Sequence, residues 1–389
     1  MEPPKIFKGI TGYVEVYPDR AIKYTEFSQL YWLREYAILT YLSKYNNTNI
    51  CMYDSVAYRE INGKYYFIAT MPNYGRQLCD MRDYGDHFIL QLLLDLTTSL
   101  TLLHSKDIIH RDLKPENIMI RGNRATLIDF THSVHFYKNY TKLIDPAVFT
   151  YIYRPPEITE FITAYNEKKT LPQYTSATDM WSLGAILFEV VTGRALYSIF
   201  KVTTEASCAI AYTSKGFLAK VKKNYTCKHK YSDLYLAIIL NLLDPVPTKR
   251  QTATALCDRI IRLVKPTRDY VLPRLVCKQL PKAIILGDID KELYNKAEEY
   301  ARVWLDNRKF IMAPAVMDMF LMYFIHHMVI TNKNYQSGVV AIGIISDAIQ
   351  FDYLGDLHYV SRKTSLREVI KCIQQMMNFN EDLFINIWS

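Results

Sequence analysis

Residues 110–117 read H-R-D-L-K-P-E-N, and L-I-D-F follows at 127–130. Together the two strings hold a base, a cation and two oxygen donors at fixed spacings. Asp112 can accept the proton of a substrate hydroxyl, and Lys114, two residues on, can steady a phosphate in transit. Asn117 and Asp129 offer the oxygens that a hard divalent cation such as Mg2+ takes. These are the parts that phosphoryl transfer from ATP requires. A charged surface loop could match one or two of these positions by accident, but not eight in a row.

Both strings resemble the catalytic and metal-binding loops of protein kinases. The resemblance implies an α+β, two-lobed fold over residues 1–265: a small β-rich lobe, about 1–72, and a large α-helical lobe, about 78–265. Sequence further out fits that order. Val14 and Val16 alternate with Glu15 and Tyr17 as in a strand. Gly9 and Gly12 before Val14 resemble the glycine-rich loop, with Phe7 where its first Gly would stand. Glycine lets backbone amides come close to phosphates. A-I-K at 21–23 follows in the next strand. By resemblance Gly9, Gly12, Val14 and Ala21 line the nucleotide, and Lys23 grips its α- and β-phosphates.

Lys23 needs a carboxylate to orient it. Segment 28–42 has helical apolar spacing at Leu30, Leu33, Ile38 and Leu42, and Glu35 within it is the natural partner. L-R-E-Y-A-I-L (33–39) resembles the helix by which cyclin-dependent kinases grip a cyclin, which makes an external cyclin a candidate partner. A strand from Tyr65 to Met71 leads into P-N-Y-G-R-Q-L (72–78), similar to the linker between kinase lobes. Asn73 lies in that linker. Met71, or Thr70 by a one-residue slip, guards the back of the pocket, and Met119 completes the nucleotide-binding set.

In the large lobe, Phe88–His104 reads as a core helix. Lys114 points to Ser/Thr substrates by resemblance. The metal-binding triplet is D-F-T (129–131), where the family has D-F-G. Thr131 lacks the backbone freedom of Gly, so a flip to an inactive conformer is disfavoured. T-Y-I-Y-R-P-P-E (150–157) resembles the end of the activation segment in the group that holds cyclin-dependent and MAP kinases. There Arg154 ties up a backbone carbonyl, which favours Pro after the phosphoacceptor, and Thr150 bridges Asp112 and Lys114. Twelve residues before Glu157 stands Asp145. It is either a carboxylate that pairs with Arg111 in place of a phosphothreonine or a plain loop residue before Pro146; Thr141 is a conventional phosphosite. Asp179 would anchor the catalytic loop, Gly184 permit close helix packing, and Arg250 pair with Glu157. A second reading of the chain is a pseudokinase scaffold. The altered glycine loop and D-F-T favour it, and the intact Lys, Glu, Asp, Lys, Asn, Asp set opposes it.

Residues 266–389 exceed what a kinase needs. Helical spacing recurs over Leu293–Leu305, Val316–Met328, Tyr335–Phe351 and Leu366–Met377, so an all-α bundle is expected. The order of helices is similar to a cyclin box; an unrelated helical extension is the alternative, since the contact residues of cyclins are not matched. A cyclin-like tail would pack on the small lobe and hold Glu35 near Lys23.

Composition bounds the rest. Half of the 389 residues are hydrophobic, enough for a sizeable core. The net charge is +8, and from Lys265 onward 15 Lys plus Arg face 14 Asp plus Glu, so the excess lies in the kinase-like part. That suits ATP and acidic or phosphorylated protein substrates, not a nucleic acid. Seven scattered Cys without a C-x-x-C read as reduced thiols, mostly core, in an intracellular protein, cytoplasmic or nuclear. The apolar stretch Ile311–Ile330 carries Asp318, His326 and His327, so it reads as a core helix and no membrane span is expected. The 31 Tyr suggest an AT-rich genome, as in some viruses and parasites.

Overall fold

The computed structural model describes residues 3–264, except 10–11, 27–34, 36–37, 40–41, 44, 46–48, 63, 83, 136–149, 168–174 and 203. The bundle expected over 266–389, the stretch 311–330, Thr141, Asp145 and most of the helix expected over 28–42 lie outside the described residues.

The first layer is an antiparallel sheet of five strands in the order β1-β2-β3-β5-β4. They are β1 (Lys5–Lys8), β2 (Gly12–Val16), β3 (Arg20–Glu26), β4 (Ser55–Ile61) and β5 (Lys64–Pro72). Cross-strand partners share a face. Val14, Lys23 and Ala69 therefore form one row, and Val16, Ala21 and Met71 the next, on the same face. Tyr13 and Tyr24 stack on the opposite face, with ring centroids 4.4 Å apart. Register also separates the two residues named for the back of the pocket. Met71 lies opposite Ala21, on the face of Lys23, whereas Thr70 lies opposite Ile22 on the other. The residue directly across from Lys23 is Ala69, fully buried.

Short strands β6 (Arg76–Gln77), β7 (Ile108–Ile109), β8 (Ile118–Arg121), β9 (Arg124–Leu127) and β10 (Val134–His135) lie at the edge of the helical part. Helices follow: α1 (Asp86–Ser105), α2 (Pro156–Asn166), α3 (Ala177–Thr192), α4 (Glu205–Thr213), α5 (Phe217–Asn224), α6 (Ser232–Leu242) and α7 (Ala253–Val264). The leucines of α1 fill the core. By length and composition α1 could cross a membrane, but most of it is buried inside the fold, as expected of a core helix. Its buried Thr97 and Thr98 hydroxyls donate to the Leu93 and Leu94 carbonyls, each at 2.7 Å, so both are satisfied within the helix.

α3 is buried along nearly its whole length. A Cβ on Gly184 would come within 2.8 Å of the Leu242 Cβ on α6, so only glycine lets these helices approach so closely. Gly193 closes α3 in the left-handed conformation (φ 67°), a common helix stop. Arg250 donates to both carboxylate oxygens of Glu157, at 2.6 and 2.8 Å, and its guanidinium lies 5.0 Å from the centre of the Trp181 ring. The five described cysteines are free thiols, and Cys51, Cys208 and Cys257 are buried.

Candidate active site

The site is assembled where the sheet meets the first turns of the helical part. Lys23, on β3, points its ammonium at Glu35, 2.5 Å from Oε2. Glu35 is 2% exposed, and the described residues around it (Ile38, Leu39 and Leu42) are helical and buried. The chain after that helix is sewn to β9: Cys51 N–H donates to the Leu127 carbonyl at 2.9 Å, and Leu127 N–H to the Asn49 carbonyl at 2.8 Å. This brings the Glu35 helix beside Asp129. Glu35 Oε1 accepts the Phe130 N–H at 3.3 Å, and Lys23 lies 3.7 Å from Asp129 Oδ1. Burial opposes the Lys23 charge, but Glu35 and then Asp129 outweigh it, and the pKa stands above the ordinary lysine value. Burial likewise opposes the Asp129 charge. Lys23 and then the Thr131 hydroxyl outweigh it, and the pKa falls below the usual carboxylate range.

Asp129 itself is in the left-handed region (φ 65°), as is Arg111 (φ 67°). Neither is a glycine, so both positions are strained and must be held by their surroundings. Asp179 does this for the catalytic loop. Its two oxygens accept the His110 and Arg111 N–H groups at 2.9 and 3.0 Å, and Nε2 of His104 lies 2.9 Å from Oδ2. Burial opposes the Asp179 charge, yet His104 draws its pKa below the usual value. Arg111 Nε donates to the His132 carbonyl at 2.6 Å, and the His110 and Phe130 rings meet edge-on at 5.0 Å.

Asp112 lies under three donors. Lys114 Nζ reaches Oδ2 at 2.7 Å, Asn117 Nδ2 reaches it at 3.0 Å, and Thr150 Oγ donates to Oδ1 at 2.7 Å. Lys114 also touches the Thr150 hydroxyl at 3.3 Å, so Thr150 bridges the pair across 36 residues of sequence. The Asn117 amide nitrogen is occupied by Asp112, which leaves its oxygen to a metal. That oxygen and the Asp129 carboxylate are hard donors of the kind that would suit Mg2+. Among the described residues no group of three or more His, Cys, Asp or Glu forms a protein-only metal cage.

The remaining sequence candidates lie on the small sheet, on the linker after it and on β8. Gly9 N–H donates to the Gly12 carbonyl at 2.8 Å and closes the turn between β1 and β2. A Cβ on Gly12 would lie 1.8 Å from the Tyr24 carbonyl oxygen, so strand packing alone demands glycine there. Val14, Ala21 and Met71 share the Lys23 face. Met119 sits half-buried on β8, opposite Thr126. Asn73 straps the linker: its N–H donates to the Asp19 carbonyl (3.1 Å), Nδ2 to the Tyr17 carbonyl (2.7 Å), and Oδ1 accepts the Gly75 N–H (2.8 Å). Its carbonyl accepts from Arg121 at 3.1 Å, so the polar groups of Asn73 are engaged by protein.

Three contacts escape sequence reading. Thr131 Oγ donates to Asp129 Oδ1 at 2.6 Å, and its N–H reaches the same oxygen at 3.4 Å. Thr131 thus holds the carboxylate as well as stiffening the backbone. Arg154 pairs with Glu205 at the start of α4, 51 residues on. Ala69, not either residue named from sequence, faces Lys23 across the strands.

Residues 20–260 match the family model described as "Protein kinase domain". Curated relatives include mitogen-activated protein kinase 15 of Caenorhabditis elegans, 29% identical over 240 residues (54% of this chain, 49% of the relative). Mitogen-activated protein kinase 2 of Pneumocystis carinii is 36% identical over 118 residues, 30% of each chain. Mitogen-activated protein kinase PMK1 of Pyricularia oryzae is 28% identical over 169 residues (42% and 45%). The matched stretches span half the length of these relatives or less. All three are mitogen-activated protein kinases, so they do not show the expected nearness to the cyclin-dependent group or a cyclin-like tail.

Proposed function

The chain belongs to the protein kinase family, and from that premise we propose that it transfers the γ-phosphoryl of ATP to serine and threonine hydroxyls of proteins. The observation that carries this reading is the contact of Lys23 with Glu35 at 2.5 Å while Glu35 also holds the Phe130 amide. The ion pair and the D-F-T segment are then in their working positions together. In this reading Asp112 orients the substrate hydroxyl and accepts its proton. Lys114 and Lys23 steady phosphate oxygens. Asn117 and Asp129 hold Mg2+, which neutralises charge building on the phosphates. Gly9, Gly12, Val14, Ala21, Met71, Asn73 and Met119 are proposed to border the nucleotide. Positioning and charge stabilisation supply most of the rate.

Finer points belong to the same proposal. A preference for Pro after the phosphoacceptor rests on the Y-R-P-P-E string. Kinship with cyclin-dependent kinases rests on the L-R-E-Y-A-I-L string. Residues 266–389 are proposed as a helical domain that packs on the small lobe and supports Glu35, in place of an external cyclin or beside one. Deleting 270–389 is then expected to abolish activity while circular dichroism shows a folded remainder; full activity in the shortened chain contradicts that part. An intracellular setting, cytoplasmic or nuclear, rests on the free thiols. The alternative, a pseudokinase scaffold, leans on Phe7 and D-F-T.

Thr131 gives a separate test of the site. A hydrogen bond to a charged group contributes about 1.5–3 kcal/mol. Thr131→Gly restores the family triplet but removes the hydroxyl, and is expected to weaken Mg2+-nucleotide binding by roughly tenfold or more. Thr131→Ser should keep it. Calorimetry reads both, and equal affinities for wild type and glycine variant would refute the role. The function as a whole is tested on a peptide array with labelled ATP, where Ser and Thr peptides followed by Pro should dominate; labelling of Tyr peptides alone would overturn it.

A further inference from the structure

Residues 206–232 contain six lysines and no aspartate or glutamate. Lys215, Lys220, Lys222, Lys223, Lys228 and Lys230 are all exposed. Among the described residues none of the six is in an ion pair. Phe217 and Val221 are buried and set the inner side of α5, which spreads Lys220, Lys222 and Lys223 round its outer side. Lys220 rests over the Phe200 ring (4.6 Å to the centroid) and Lys230 over the Tyr231 ring (5.3 Å), so two of the ammonium groups are steadied but still face solvent. Glu205 and Asp233 flank the stretch, and at its edge the Asp86 oxygens accept the backbone N–H groups of Lys230 and Tyr231 and the Tyr235 hydroxyl, not a lysine ammonium.

This surface is fastened to the platform beside the reacting groups. α4 is tied to the segment after Thr150 at two points. Arg154 pairs with Glu205, and the Tyr212 hydroxyl donates to the Ile152 carbonyl at 2.9 Å. Phe217, the first residue of α5, packs edge-on against Tyr212 with centroids 5.7 Å apart. The lysines on α5 therefore keep a fixed relation to the place where a substrate hydroxyl would meet Asp112.

We infer that the lysine surface of α5 and its flanking turns docks an acidic segment of the protein substrate, remote from the residue that is phosphorylated. The inference rests on the kinase reading for the word substrate, and on this surface alone for the acidic partner. Lysines are flexible single-point donors without the two-pronged geometry of arginine, so they suit a run of carboxylates better than one defined phosphate. Among the described residues the rings in contact with these lysines are Phe200 and Tyr231, and each already lies under an ammonium group, which disfavours stacking of a nucleic-acid base on them. A surface of one sign raises the encounter rate of an oppositely charged partner and is weakened by salt.

The test is fluorescence anisotropy of a labelled eight-residue glutamate peptide with the full chain, at 50 and 200 mM salt. Wild type should bind and lose affinity with salt. The triple variant Lys220→Glu, Lys222→Glu, Lys223→Glu should bind about threefold to a hundredfold more weakly, the loss expected of three exposed ion pairs. Should that variant fail to fold, Lys→Gln at the same positions serves instead. Equal binding by wild type and variant overturns the inference. Tighter binding of single-stranded DNA, or of vesicles with 30% phosphatidylserine, through the same lysines also overturns it and reassigns the surface. Phosphorylation of a neutral peptide is measured in parallel. In the variant its rate should be unchanged, and in wild type its absence would indict the kinase reading without touching the peptide-binding result.

Discussion

Asp112→Asn is expected to lower turnover by about two to four orders of magnitude, the range a positioned general base contributes, with ATP affinity unchanged. The amide keeps the shape of the carboxylate and can still face Lys114, Asn117 and Thr150. What it loses is the ability to take a proton and the charge that Lys114 opposes. Because Asp112 does not contact Lys23 or Glu35, the proposed nucleotide grip should survive. Calorimetry with Mg2+ and a non-hydrolysable ATP analogue checks the binding arm, and steady-state kinetics the chemical one. A variant retaining a tenth of wild-type turnover would show that Asp112 does not act as the base.

Glu157→Ala is expected to be the most damaging substitution for stability. Arg250 is buried, and the bidentate contact satisfies one edge of its guanidinium. Removing the carboxylate leaves a cation inside the fold with only the Ala177 and Asp244 carbonyls and the Trp181 ring for company. Breaking one side of a buried pair costs about 3–5 kcal/mol. In a domain of this size that corresponds to a fall in Tm of roughly 10 °C, read by thermal denaturation. A shift under 2 °C would mean that the pair is solvated and its bond weak. The expected loss is structural, so the nucleotide affinity of the molecules that remain folded should match wild type.

The sequence carried the chemistry of the site well and its three-dimensional neighbours poorly. Asp112, Lys114 and Asn117 fall within six residues, so their local geometry follows from one loop. Lys23 and Glu35 were legible because A-I-K lies in a strand and Glu35 in a helical apolar pattern, and their meeting needed only the family order. Thr150 bridging Asp112 and Lys114 was likewise legible from its motif. The pocket guard was not. Met71 and Thr70 differ by one residue, and only the strand register separates their faces; the same register puts Ala69 across from Lys23. Thr131 could be seen as a departure from glycine, but its hydroxyl reaching Asp129 depends on the left-handed backbone at Asp129, which no local pattern announces. Arg154 meeting Glu205 joins an activation-segment residue to the start of α4, a pairing set by how α4 packs. Gly12 taught the reverse lesson: a residue singled out for phosphate contact is also required by the close passage of β2 and β3.

The most direct test of the central claim is transfer of label from γ-labelled ATP, with Mg2+, to a generic basic protein, followed by phosphoamino-acid analysis. Wild type should place label on serine and threonine, none should appear without the metal, and Asp112→Asn should bind ATP yet transfer next to nothing. A chain that neither binds ATP with Mg2+ nor labels any protein, itself included, would contradict the account and leave the fold without its chemistry.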